Sequence, residues 1–167
     1  MLAIVIILLA VIADQITKYL ALTLLNPIHR FVLIDGILEF RFVRNRGAAW
    51  GILADNRWVF MTISVIFLIF LSAYLFHIRK ESKLYTVPIA LIIGGGIGNM
   101  IDRLFYPDGA VVDFIYFKLI DFPVFNIADC AVTIGAAALV IFIIYGEFIK
   151  PHRAKKKENA DENADMQ

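Results

Sequence analysis

The composition of this chain excludes an ordinary water-soluble domain. Its 167 residues are 60% hydrophobic, the mean hydropathy is +0.77, and the formal net charge is only +1. A chain this apolar for its length is typical of a membrane protein.

Four apolar stretches are long enough to cross a hydrocarbon core about 30 Å thick. A soluble all-helical core is the alternative for any one of them, but four in so short a chain argue against it. The sequence therefore predicts an all-α polytopic membrane protein with four transmembrane helices, at Leu2–Leu25, Trp58–Phe76, Leu84–Ile101 and Asn126–Tyr145.

The orientation of the chain is predicted from lysine and arginine near the span ends. The total numbers on the two sides are nearly equal. Tight clusters at Arg79–Lys83 and Lys150–Lys157 favour the side that carries both termini. We therefore expect both termini to be cytoplasmic.

The segment 26–57, between the first two spans, predicts a small extracytoplasmic β element. Phe31–Ile34 and Ile37–Val43 flank an Asp-Gly pair, which suits a tight turn with positive φ. In the second strand Leu38, Phe40 and Phe42 alternate with charged residues, which indicates a half-buried hairpin.

The connection 102–125, between spans three and four, is rich in aromatic residues. An aromatic belt at the membrane interface is one interpretation, and an extracytoplasmic flap over a lipid-containing site is the other. We expect residues 1–150 to form one membrane domain and residues 151–167, a basic run followed by a polar repeat, to form a disordered cytoplasmic tail.

Charged and amide side chains converge at one level of the predicted bundle. An ionised side chain in hydrocarbon costs roughly 2.5–3.5 kcal/mol on insertion scales, so it is usually retained for function. Asp14 and Lys18 share one side of the first helix at i,i+4 spacing. Spans three and four bring further polar groups to the same outer layer: Asn99, Asp102, Arg103, Asn126 and Asp129.

Two acids have the environments that acid–base partnership needs. Asp129 lies just inside the start of a helix, where the dipole favours a charged carboxylate. Asp113 is flanked by apolar residues, and its desolvation would raise its pKa. We expect no metal, because the three histidines are scattered and no cysteine–histidine spacing suggests a site. The glycines at 94, 95, 96 and 98 are interpreted as helix-packing positions.

Five motifs in order along the chain resemble the lipoprotein (type II) signal peptidases. They are Asp14-Gln15-Ile16-Thr17-Lys18, Asn45-Arg46-Gly47-Ala48-Ala49-Trp50-Gly51, Gly95-Gly96-Ile97-Gly98-Asn99-Met100-Ile101-Asp102-Arg103, Val112-Asp113-Phe114 and Phe125-Asn126-Ile127-Ala128-Asp129. The resemblance covers nearly the whole chain except its last dozen or so residues. Where the family often has phenylalanine, this chain has Trp50.

The resemblance implies a membrane-embedded aspartic endopeptidase with Asp113 and Asp129 as its catalytic dyad. It implies that other residues shape the site or contact substrate: Asp14, Lys18, Asn45, Gly98, Asn99, Asp102, Arg103 and Asn126. The family removes signal peptides from diacylglyceryl-modified prolipoproteins, cleaving before the lipid-modified cysteine.

The resemblance implies a location in the bacterial cytoplasmic (inner) membrane, with prolipoprotein substrates and membrane lipids as partners. We expect no cofactor, no nucleic-acid partner, a monomeric chain and an active site near the outer membrane face. A proton-coupled transporter is the competing interpretation, since acids within a membrane are typical of transporters too. Transporters usually carry repeats and broken helices, and the sequence has no convincing repeat.

Overall fold

The computed structural model describes residues 1–47, 57–78 and 83–145. The tail 151–167, for which we predict disorder, lies outside the described residues, as do positions 48–56. Within these residues the four predicted membrane helices are present: α1, Leu2–Leu20; α2, Arg57–Ile78; α3, Lys83–Phe105; and α4, Ile127–Ile144. All four contain windows long and apolar enough to span a membrane. The α1 helix continues as a π-helical turn, Ala21–Leu25.

The third helix is longer than its sequence predicts. We expected it to end at Ile101, but it continues to Phe105, so Asp102 and Arg103 lie in its last turn. No helix-breaking residue follows until Pro107, and a proline restricts the residue before it to extended geometry. This extra turn directs both charged side chains back into the bundle.

The α3 helix is the centre of the bundle, because it packs against each of the other three helices. Its glycines lie at these contacts, as the sequence predicts. Gly94 faces Ala10 of α1, and Gly96 faces Leu68 of α2. A methyl group at Gly95 would overlap the carbonyl oxygen of Ala128 in α4. Small residues therefore bring α3 close to its neighbours, where no hydrophobic force between helices would do so.

A three-stranded antiparallel sheet stands at one end of the bundle. The strands β1, Arg30–Ile34, and β2, Leu38–Asn45, confirm the predicted hairpin. The third strand, β3, Val111–Phe117, pairs with β2 and comes from the connection 102–125. That connection therefore supplies an integral strand of the sheet. Val111–Phe114 are all buried, so β3 does not show the alternation of apolar and polar residues by which a half-buried strand is predicted from sequence.

A buried carboxylate organises one face of this sheet. Glu39 has no exposed surface. Its Oε1 lies 2.6 Å from Arg30 Nη2 and 3.0 Å from Lys118 Nζ, and its Oε2 lies 3.4 Å from Arg41 Nη2. The hydrogen bond from Lys118, followed by the contacts with Arg30, lowers the pKa of Glu39 from 4.5 to about 2. The strands β1 and β2 and the 3-10 turn after β3, Lys118–Ile120, are thereby joined through one side chain.

Glu39→Gln should remove a pH-dependent part of the hairpin's stability. Because the folded pKa lies below the ordinary value, the charge of Glu39 stabilises the sheet above about pH 4.5, and this contribution is lost as the pH falls towards 2. We expect the protection factors of wild-type amides in 30–45, which compare observed with intrinsic hydrogen–deuterium exchange rates at each pH, to fall on acidification through that window. The variant should have lower protection factors at pH 7 and lose most of this pH dependence. Asp35→Asn, in the exposed turn, is the matched control, and identical profiles for Glu39→Gln and wild type would contradict the assignment.

Candidate active site

A buried lysine lies between two carboxylates at the C-terminal end of α1. Lys18 is 1% exposed, and its Nζ lies 2.8 Å from Asp14 Oδ2 and 3.2 Å from Asp102 Oδ2. The same Nζ donates to Asn99 Oδ1 at 2.9 Å. Asp14 and Asp102 are themselves buried. The predicted i,i+4 pairing is therefore present, and α3 adds a second acid and an amide to it.

Asp14 also connects α1 to α4. The backbone N–H of Ala128, in the first turn of α4, donates to Asp14 Oδ1 at 3.0 Å. Gly98 lies directly beside this carboxylate, since a methyl group built there would be 2.6 Å from Asp14 Oδ2. A glycine at this position therefore allows the acid to reach between α3 and α4.

Gln15 is a member of this network that our sequence reasoning missed. Its Nε2 lies 3.1 Å from Asp14 Oδ2, 3.2 Å from the carbonyl oxygen of Gly98 and 3.2 Å from Asp102 Oδ1. The signal was present, because Gln15 is an amide in an apolar helix beside Asp14. Adjacent positions on a helix point about 100° apart, however, so spacing alone does not predict that Gln15 contacts the carboxylate groups of Asp14 and Asp102.

Asp113 lies on β3 with both carboxylate oxygens hydrogen-bonded. Asn126 Nδ2 donates to Oδ1 at 2.6 Å, and Asn45 Nδ2 donates to Oδ2 at 2.9 Å. The side chain is almost entirely buried. Burial raises the pKa of Asp113 to about 7, with a contribution from the negative charge of Asp129, although the hydrogen bonds from both asparagines oppose the shift.

Asp129 is fixed by the start of its own helix. Its Oδ2 accepts the backbone N–H of Asn126 at 3.1 Å, and Asn126 Oδ1 accepts the backbone N–H of Asp129 at 2.9 Å. This reciprocal pair is a capping box at the N-terminus of α4. The other oxygen, Oδ1, accepts Asn99 Nδ2 at 2.8 Å. Both oxygens of Asp129 therefore accept hydrogen bonds from uncharged donors.

Asn126 joins the two acids into one network. Besides its bond to Asp113, its Nδ2 lies 3.0 Å from Asn99 Oδ1 and 3.3 Å from the carbonyl oxygen of Val112. Asp102 Oδ2 accepts the N–H of Val112 at 2.9 Å. The residue before Asp113 is therefore held on both sides, and the position of β3 depends on α3 and α4.

Arg103 lies at the edge of the same site. Its Nη1 donates to the carbonyl oxygen of Asn99 at 3.3 Å, and its Nη2 donates to that of Gly47 at 3.3 Å. Asn45 Oδ1 in turn accepts the N–H of Gly47 at 3.0 Å. Arg103 therefore connects the last turn of α3 to the chain that leaves β2.

A cavity of about 820 Å³ opens beside the two acids. Asp113, Asp129, Asn45, Asn99 and Arg103 form the polar part of its wall. The rest is mostly apolar and comes from three helices and the segment that leads into α4, with side chains including Met61, Phe67, Leu68, Ile92, Phe122, Val124, Phe125, Val132 and Ile134. Such a cavity suits a largely apolar ligand that presents one polar group to the acids.

The site therefore unites residues that the sequence predicts separately. Asp113 and Asp129 line one cavity, Asn45, Asn99 and Asn126 orient them, and Asp14, Lys18, Asp102 and Gly98 lie directly behind. Among the described residues, no group of three or more His, Cys, Asp or Glu side chains could hold a metal ion. Cys130 also lines the cavity.

The comparisons with known proteins agree with this architecture. The model of the family described as signal peptidase (SPase) II matches residues 6–145. The chain belongs to the signal peptidase II family. A relative from Clostridium tetani (strain Massachusetts / E88), named lipoprotein signal peptidase, is 40% identical over 144 residues, which cover 84% of this chain and 91% of the relative.

Two solved structures are similar to this member of the signal peptidase II family. One, described as a bacterial membrane enzyme structure by the in meso method at 2.3 Å resolution, has a TM-score of 0.79, 37% identity and coverage of 89% of this chain and 90% of its own. Another, at 1.9 Å resolution, has a TM-score of 0.72, 37% identity and coverage of 85% and 92%. Family membership confirms the prediction of a multi-pass bacterial membrane protease of the aspartic class that processes prolipoproteins, and it replaces the transporter interpretation.

Lys18→Met should destabilise the fold strongly. The substitution leaves Asp14 and Asp102 buried against each other without a cation, and breaking a buried ion pair costs about 3–5 kcal/mol. We expect a large fall in the thermal unfolding temperature of the detergent-solubilised protein. Thr23→Val is the control on the same helix, because its hydroxyl donates only to carbonyls of its own helix. Equal unfolding temperatures for Lys18→Met and wild type would show that the lysine is dispensable.

Proposed function

We propose that Asp113 and Asp129 are the catalytic dyad with which this chain cleaves the peptide bond before a diacylglyceryl-modified cysteine. The observation that carries the proposal is the position of both carboxylates on the wall of one cavity, with Asn126 hydrogen-bonded to each of them. Two oriented acids at a shared site are what aspartic hydrolysis requires.

The two acids take different roles because their environments differ. Asp113 is buried and has a pKa of about 7, so near neutral pH it retains a proton that it can give to the scissile carbonyl. Asp129 lies at the N-terminus of α4, where the helix dipole stabilises a carboxylate. It accepts a proton from the attacking water, and the tetrahedral intermediate then collapses with proton transfer to the leaving amine.

The surrounding residues position this pair. Asn45, Asn99 and Asn126 orient the carboxylates through their amide groups. Arg103 supplies a positive charge at the cavity wall. Asp14, Lys18, Asp102 and Gly98 hold α1, α3 and α4 together behind the dyad and do not touch the substrate.

The apolar part of the cavity is suited to the lipid-modified substrate. Its wall runs from the acids along α2, α3 and α4, so acyl chains and a signal-peptide helix can occupy it from the bilayer. We propose that the chain acts as a monomer. Membrane lipids are the remaining partners.

The proposed topology places both termini in the cytoplasm and the active site near the outer membrane face. The acids lie where α3 ends and α4 begins, at the opposite ends from the lysine and arginine clusters that favour the cytoplasm. Residues 1–150 then form the protease domain, with 26–57 and 102–125 outside the membrane, and residues 151–167 form a cytoplasmic tail.

Asp113→Asn and Asp129→Asn should each abolish cleavage. Each substitution removes a group that takes or gives a proton, and loss of a general acid or base costs about 10²–10⁴-fold in rate. The assay follows cleavage of a diacylglyceryl-modified prolipoprotein in detergent. Asp35→Asn, at the exposed hairpin turn, should cleave at the wild-type rate, and chelators should have no effect on wild type. Cleavage that survived both substitutions at the dyad would move the assignment to other acids.

Activity should fall as the pH rises through about 7. Asp113 must be protonated to donate its proton, and its raised pKa places the loss of that proton near neutrality. Asn45→Ala removes a hydrogen bond that lowers this pKa, so the alkaline limb of the kcat/KM profile should move to higher pH while the maximal rate falls. Asn26→Ala, at the exposed end of α1, is the control. An alkaline limb that stays in place in Asn45→Ala would contradict the role of Asp113 as the acid.

A further inference from the structure

The end of the sheet farthest from the catalytic acids carries a continuous exposed apolar surface. The β1–β2 turn lies beside the 3-10 turn Lys118–Ile120, because the carbonyl oxygen of Ile37 accepts the N–H of Lys118 at 2.8 Å. Leu119 and Ile120 are 63% and 66% exposed. Together with exposed residues of the hairpin they form a surface that we call the apolar tip: Leu33, Ile34, Ile37, Leu119 and Ile120.

Three cations lie directly behind the apolar tip. Arg30, Arg41 and Lys118 converge on the buried Glu39, yet their side chains remain 49%, 41% and 39% exposed. Three cations and one carboxylate leave this cluster with a net charge of +2. The cluster is therefore neutralised only in part by the protein, and its exposed guanidinium and ammonium groups can contact a further anion.

The exposed edge of strand β1 limits how deeply the sheet can lie in the membrane. Within the described residues it pairs only with β2, and all of its residues are exposed, including the apolar run Phe31–Ile34. Soluble proteins protect such an edge because it promotes aggregation. In hydrocarbon its backbone N–H and C=O groups would lack partners. The membrane interface satisfies both requirements, since water reaches the strand edge while apolar side chains enter the lipid.

We propose that the apolar tip inserts into the outer leaflet while Arg30, Arg41 and Lys118 bind anionic phospholipid headgroups. The proposal rests on the outer-face position given under Proposed function. Charge complementarity favours an anionic lipid surface, at which each cation strengthens binding by about fivefold. This contact holds the sheet along the membrane, so that β3 presents Asp113 at the depth at which a signal-peptide helix ends.

The test is hydrogen–deuterium exchange of the full chain in lipid nanodiscs. One set contains phosphatidylcholine alone, and the other contains a mixture with phosphatidylglycerol. We expect amides in 30–37 and 118–120 to exchange several-fold more slowly in the anionic discs. Amides of the buried β3 strand serve as the internal reference, because their exchange should not depend on the lipid.

Two double variants separate the contributions of charge and apolar surface. Arg41→Gln/Lys118→Gln keeps the Arg30–Glu39 ion pair, so Glu39 is not left without a cation, and it should abolish the difference between the two lipids. Leu119→Ser/Ile120→Ser should lose protection in both lipids but cleave at the wild-type rate in detergent. Arg44→Gln, which removes a cation paired with Asp108 elsewhere on the sheet, should retain the lipid dependence.

Two outcomes would overturn the proposal. Protection that is equal in both lipids would remove the role of anionic headgroups. Protection that instead increases with the number of protein copies in each disc would identify a second copy of the chain as the partner. A cleavage assay in the same discs separates the two proposals, because normal cleavage without lipid-dependent protection contradicts docking alone. Lipid-dependent protection without any cleavage contradicts the proposed dyad.

Discussion

The contact of Lys18 with Asp14 and Asp102 is the interaction on which the rest of this structure depends. It joins α1 to α3 through one buried ammonium group, and Asp14 reaches onward to the backbone of α4. Because desolvating these charges is costly, the arrangement persists only with all partners in place. The helices that meet at this contact then carry the remaining polar side chains to one level of the membrane.

Asp113 and Asp129 both take their positions from this contact. Lys18 donates to Asn99, which donates to Asp129, while Asp102 holds the residue that precedes Asp113. The hydrogen bonds that orient these two acids come from asparagine amides and from the backbone at the start of α4. Burial keeps the pKa of Asp113 near 7 despite its two hydrogen bonds.

The sheet is also organised around one buried charged side chain. Glu39 forms ion pairs with three cations, whereas Lys18 forms ion pairs with two acids. In the sheet and in the helix bundle alike, one buried ion is therefore surrounded by ions of the opposite sign. One centre holds the helices that carry Asp129, and the other holds the strands that lead to Asp113. Asn126 connects the sheet to the helix bundle, because it is hydrogen-bonded to Asp113 of β3 and to Asp129 of α4.

The sequence by itself determined the four membrane helices, the β1–β2 hairpin and the layer of polar side chains at one level of the bundle, because hydrophobic length, turn chemistry and i,i+4 spacing are local properties of the chain. The motifs also identified Asp113 and Asp129 as candidates by resemblance. Only the tertiary structure decided that β3 completes the sheet and that Gln15 and Asn126 connect groups far apart in the chain. The pairing of β3 and the contacts of Gln15 and Asn126 join residues more than ten positions apart, and a strand buried on both faces has no periodicity by which it could be predicted.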